Sequence, residues 1–147
     1  MREILFRGKP TEYFEHFKVF RPELFEGNFV YGSLVICDDR YFICTHAMCA
    51  INSCVNNGMT TMVEVTLETV GEYSYFSDKN GKKIFEGDLV KYRDTVRSVE
   101  FNEEFAEFEF SYTDPVEYPD SLCLCVDYER CEVIGNIHDN PELLRGE

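Results

Sequence analysis

The stretch Phe25-Glu26-Gly27-Asn28-Phe29-Val30 comes back later in the chain as Phe85-Glu86-Gly87-Asp88-Leu89-Val90. Each copy runs from an aromatic residue through an acid into glycine and then into an apolar run. Glycine enters left-handed turn conformations without steric cost, so each copy reads as a turn that feeds a strand. Downstream, Thr69-Val70-Gly71-Glu72-Tyr73 stands to the first copy much as Val133-Ile134-Gly135-Asn136-Ile137 stands to the second. An internal duplication follows, with repeats of about 1–75 and 76–147, each of a length that suits a small barrel of short strands. Turn chemistry accounts for every residue type in the motif. Gly87 and Asp88 shape a turn, while Phe85, Leu89 and Val90 fill a core, as Phe25, Phe29 and Val30 do in the other copy.

Working outward from the first copy, Asn28 to Ile36 and Asp38 to Cys44 are β-rich and meet at Asp38-Asp39, the pattern of a hairpin. From Met48 to Met62 the period is broken by Asn52, Ser53, Asn56, Asn57 and Gly58, which predicts a loop with room for a short helical turn. Strand character returns at Met62 to Leu67, with Val63, Val65 and Leu67 on one face. Around the second copy, Asn80-Gly81 marks a tight turn, since both residues tolerate positive φ. The stretch is not a calcium loop. With Gly81 in the glycine position, the first ligand position falls on Phe76, which has no oxygen to offer. Beyond Val90, Phe108 and Phe110 alternate with Glu107 and Glu109 as in a strand with one wet face. Leu122 to Val126, with Cys123 and Cys125 on one face, and Glu132 to Ile137 read as closing strands. Asn140, Pro141 and Glu142 then supply a cap, a first helical position and an acidic first turn for a short C-terminal helical turn.

Composition narrows the function. The chain has 147 residues, 44% of them hydrophobic and 15% aromatic, enough for a packed core. Its formal charge of -14 repels phosphate backbones, which excludes direct nucleic-acid binding. No apolar run approaches the length that crosses a bilayer, and Met1 to Gly8 lacks the hydrophobic stretch of a secretory signal, so a cytoplasmic location is expected. Seven cysteines, an odd number in a reducing compartment, point to free thiols. Cys44, His46, Cys49 and Cys54 have metal-ligand character but lack the tight Cys-x2-Cys knuckle of structural zinc, so no metal is assigned. His16, His46 and His138 fall in no catalytic signature, and phosphate loops, nucleophile elbows and zinc-protease motifs are missing. An enzyme is not expected, nor is a cofactor.

Met1-Arg2-Glu3-Ile4-Leu5-Phe6-Arg7, Tyr31-Gly32-Ser33-Leu34, the run from Glu68 to Asp88, Glu132 to Ile137 and Asn140 to Leu144 together resemble the YopX family of phage and prophage proteins. The resemblance is spread over the whole chain. It implies a mainly β fold of two tandem SH3-like small barrels with N-terminal strands able to exchange, and a tendency to form homo-oligomers. It implies no catalytic activity. On this reading Phe25, Gly27, Gly71, Asn80, Gly81, Phe85, Gly87, Asp88, Gly135 and Pro141 are structural residues, and no binding residue is assigned. Two functional expectations result. The leading one is a self-associating protein-interaction module that meets host or phage proteins. The other is an acidic mimic of nucleic acid, with Glu100, Glu103, Glu104, Glu107 and Glu109 as its best cluster, although strand alternation is expected to scatter them over two faces.

Overall fold

A computed structural model describes residues 1–45, 61–111 and 122–146. The strands are Phe6–Gly8 (β1), Phe25–Glu26 (β2), Phe29–Cys37 (β3), Arg40–Thr45 (β4), Thr61–Val65 (β5), Gly71–Ser77 (β6), Lys83–Phe85 (β7), Asp88–Tyr92 (β8), Thr95–Asn102 (β9), Glu107–Phe110 (β10), Leu122–Cys123 (β11) and Cys131–Asn136 (β12). Two one-turn helices, Phe17–Phe20 (α1) and Leu124–Asp127 (α2), and several 3-10 turns complete the described residues. The chain divides into two compact units: Ile4–Glu72, and Met1–Glu3 together with Tyr73–Glu147.

In the unit Ile4–Glu72 the antiparallel order is β5-β4-β3-β1, with β2 also paired to β3. The expected hairpin is β3–β4, and it turns at Asp38, which takes φ 55° so that Cys37 meets Arg40 across a two-residue loop. Val30, Leu34, Tyr41, Ile43, Val63 and Val65 share one face by strand alternation and register. They pack with Leu24, Phe6, Phe14, Phe25 and Val70 into this unit's core. Leu67 does not continue that face. The strand ends at Val65, and Leu67 is exposed in the 3-10 turn Leu67–Thr69.

In the later unit β6 pairs with β7, and a five-strand sheet runs β11-β10-β9-β8-β12. Its core gathers Ile84, Val90, Tyr92, Val99, Phe108, Phe110, Leu124 and Cys131. The β6–β7 turn is organised by Asp78, whose Oδ1 accepts from the backbone N–H of Asn80 and of Lys82, each at 2.9 Å. Asp78 Oδ2 accepts from Val133 N at 2.8 Å and so ties the turn to β12. Gly81 takes the left-handed conformation, φ 80°, while Asn80 does not.

Three expectations need correction. The sheets are open: among the described residues neither closes into a barrel. Cys123 and Cys125 do not alternate along a strand, because Leu124 is drawn into the core at the start of α2 and the strand stops at Cys123. Asn140 does not cap the C-terminal turn Pro141–Arg145; its Oδ1 instead accepts from Asn136 N at 3.3 Å.

Candidate interaction surface

Between β1 and β2 the chain leaves the sheet, and the residues that hold its start are all backbone-bonded. Thr11 N donates to Glu64 O, Thr66 N donates to Lys9 O, and Pro10 bridges to Val65. From Glu12 to Leu24 the segment is two 3-10 turns around α1. Such short turns bury little, so their aromatic residues divide between anchor and display. Phe14 packs on the unit's core and Leu24 is buried in it. Tyr13, Val19 and Phe20 stand 78%, 79% and 73% exposed. Ring contacts run along the segment. Phe14 stacks on Phe17 at 5.4 Å, Tyr13 meets Phe14 edge-on at 5.2 Å, and His16 contacts Phe17 at 4.9 Å and Phe20 at 6.1 Å.

Beside this strip lies a cleft of about 410 Å³ lined by Lys9, Pro10, Glu15, Lys18, Val19, Phe25 and Asn28. Lys18 Nζ donates to Asn28 Oδ1 at 2.6 Å, tying α1 to the turn after β2. Glu12 and Glu15 lie at the segment's start and Lys18 and Arg21 further along, with Arg21 paired to Glu23. Surface aromatics held on short turns supply large contact area at low entropic cost, which is the composition of protein contact sites rather than of solvated loops. Sequence reading passed over this segment. Its signal is the helical spacing of Tyr13, Phe17 and Phe20.

The residues assigned structural roles sit as follows. Phe25 lines the cleft and Gly27 takes φ 61°, with open space where a Cβ would be. Phe85 and Asp88 are buried, and Asp88 Oδ2 accepts from Phe85 N at 2.8 Å across the turn at Gly87, φ 85°. Gly71 is buried opposite Arg7 of β1, whereas Gly135 lies opposite Leu89 of β8 at a bulge. The two glycines therefore have different strand partners. The two Phe-Glu-Gly turns also differ in setting, since β2 pairs with β3 while β7 pairs with β6 and β8 with β9 and β12. Asn80 is exposed at its turn and Pro141 opens the last 3-10 turn. Cys44 lies in β4 opposite Met62, while His46, Cys49 and Cys54 fall outside the described residues, as does the loop expected from Met48 onward up to residue 60.

The acidic cluster is not scattered. In the β9–β10 hairpin Glu100 faces Glu109 and Asn102 faces Glu107, so three glutamates share the face opposite Val99, Phe101, Phe108 and Phe110. Glu103 and Glu104 occupy the turn. Cross-strand pairing reunites what alternation along one strand separates.

An antiparallel β protein of two units, with a displayed aromatic segment on one of them, is the class this geometry defines. The chain belongs to the YopX protein family, whose model matches residues 23–145. Among solved structures it is similar to protein EF1440 from Enterococcus faecalis, with 19% identity, a TM-score of 0.52 and coverage of 98% of this chain and 99% of that one. That likeness concerns the fold. No curated protein matches the chain.

Proposed function

We propose that this YopX-family chain is a non-enzymatic, phage-type interaction module that works in the cytoplasm and associates with itself through the segment Glu12–Arg21. The observation that carries the reading is the displayed row of Tyr13, Val19 and Phe20 beside an open cleft. The occupant is a second copy. A two-fold contact sets the segment antiparallel to its copy, which brings Glu12 and Glu15 of one towards Lys18 of the other. Host or phage proteins then meet the remaining surface. In this reading the two units descend from one duplicated SH3-like module whose barrels have opened, and the two Phe-Glu-Gly turns are its trace.

Light scattering on the full chain at low and high salt tests it. The expected result is a defined multimer that persists at high salt, and a monomer for Val19→Glu combined with Phe20→Glu. Val19 and Phe20 are exposed, so the variant retains its fold. A wild-type monomer at both salts would sink the self-association. The shared face of Glu100, Glu107 and Glu109 favours a second reading, an acidic mimic that occupies the nucleic-acid site of a basic protein. That reading gains if the chain is monomeric and competes with DNA for a basic DNA-binding protein, and loses if reversing Glu100 and Glu109 to Lys leaves the competition intact.

A further inference from the structure

Cys123 and Cys125 flank Leu124, where β11 gives way to α2. Leu124 is fully buried in the later unit's core, so the backbone is pinned between the two cysteines, with Cys123 partly buried and Cys125 exposed. The Cys125 backbone N–H donates to Cys123 Sγ at 3.4 Å, which folds the Cys123 side chain back over the Cys125 backbone. Cys123 Sγ therefore already lies against the residue that carries the second sulfur, on a stretch whose next residues, through Asp127, hold the hydroxyl of the buried Tyr92. We propose that Cys123 and Cys125 form a thiol–disulfide exchange site, closing to an intrachain disulfide on reaction with a low-molecular-weight disulfide such as oxidised glutathione.

The order of attack follows from the two environments. Cys125 is exposed and so is the sulfur that reacts first, while Cys123 is partly buried and burial pushes its thiol up to about 12. Cys125 loses a proton to water and its thiolate attacks one sulfur of the glutathione disulfide. One S–S bond breaks, a mixed disulfide forms and a glutathione thiolate leaves. Cys123 then loses its proton and attacks Cys125 Sγ, expelling the second glutathione thiolate. Two protein thiols are oxidised and one glutathione disulfide is reduced to two thiols, so electrons balance. A ring closed between residues two apart is small and strained, which makes it readily reducible and the site reversible.

The full chain, equilibrated in glutathione buffers of graded oxidation, acid-quenched, alkylated and digested, provides the test by peptide mass. The expected result is that the peptide carrying Cys123 and Cys125 loses two hydrogens and takes up no alkyl group as the buffer becomes oxidising, and that this reverses with reductant. With Cys123→Ser, Cys125 stops at the glutathione mixed disulfide. Near-ultraviolet circular dichroism of the tyrosines distinguishes a folded variant from a collapsed one. An alkylated pair throughout, an open mixed disulfide in the unaltered chain, or pairing of either sulfur with another cysteine would overturn the proposal.

Discussion

Gly32 and Gly27 are both glycines of the same unit, required for different reasons. A Cβ on Gly32 would lie 2.0 Å from the carbonyl oxygen of Cys44, inside the β3–β4 pairing, where backbone has to move to relieve it. A Cβ on Gly27 meets nothing within 4 Å, and only its φ of +61° resists a side chain. Gly32→Ala is expected to cost about 3 kcal/mol of stability, and Gly27→Ala about 1 kcal/mol; urea unfolding followed by tyrosine fluorescence measures both. Gly27 was legible because turn glycines announce themselves by their neighbours. Gly32 was visible only as part of a resemblance, because the contact that requires it comes from a strand elsewhere in the sequence. Asp78 shows the same limit. Beside Asn80 and Gly81 it suggests a calcium loop that fails at Phe76, yet its two oxygens satisfy three backbone N–H groups. Asp78→Ala is expected to destabilise by about 2 kcal/mol, since it removes three hydrogen bonds to backbone N–H groups at part-buried positions, again read as a shift of the urea midpoint without change of slope.

Elements formed by local pattern were readable, and elements formed by distant partners were not. The turn at Asp38, the β10 alternation of Glu107, Phe108, Glu109 and Phe110, and the closing turn at Pro141 follow from neighbours in sequence. The strand expected at Leu122 to Val126 failed because α2 answers to contacts made by β8 and β10. Leu124 fills the core and Asp127 accepts the Tyr92 hydroxyl, while the Tyr92 ring stacks on Phe110 at 5.1 Å and 14°. That junction predicts an alkaline limit. Burial, then the hydrogen bond to Asp127, raises Tyr92 above the ordinary phenol value of 10.0. Burial, then the charge of Asp78, pushes the Cys131 thiol from 9.0 up to about 11. Both are acids that keep their protons longer in the folded chain. Their stabilisation is complete below the unfolded values and is lost as pH climbs, because the unfolded chain releases protons first. The urea midpoint of the unaltered chain is expected to fall between pH ~9 and ~11. Cys131→Ala flattens the lower part of that slope and Tyr92→Phe the upper part, although each starts from lower stability. A slope unchanged in both variants would show that the alkaline loss arises elsewhere.

At the scale of the molecule, charge is the property the sequence displays most openly and local structure resolves least. Of 28 acidic residues, Glu3, Glu23, Glu64, Asp127 and Glu132 stand in ion pairs with Lys83, Arg21, Arg40, Arg130 and Lys79 among the described residues. One of these pairs, Lys83 with Glu3, joins the first three residues to the later unit, as does the guanidinium of Arg2 over the Tyr75 ring at 4.5 Å. Repeat boundaries near residue 75 give no hint of that, since pairing at a distance leaves no local pattern. Surface pairs of this kind contribute about 0–1 kcal/mol each. Against them stands the mutual repulsion of a chain with formal charge -14, which favours expansion. Raising salt from ~0.01 to ~0.15 M shortens the screening length from about 30 Å to about 8 Å. Repulsion summed over the whole surface is screened by that change, while contact pairs have little to lose. The melting temperature is therefore expected to rise with sodium chloride over this range. Apolar self-association would raise it too, so the comparison belongs to Val19→Glu with Phe20→Glu, at a protein concentration where light scattering gives the same mass at both salts. A rise in that variant isolates intrachain repulsion as the cause. A fall would mean that the ion pairs outweigh the net charge.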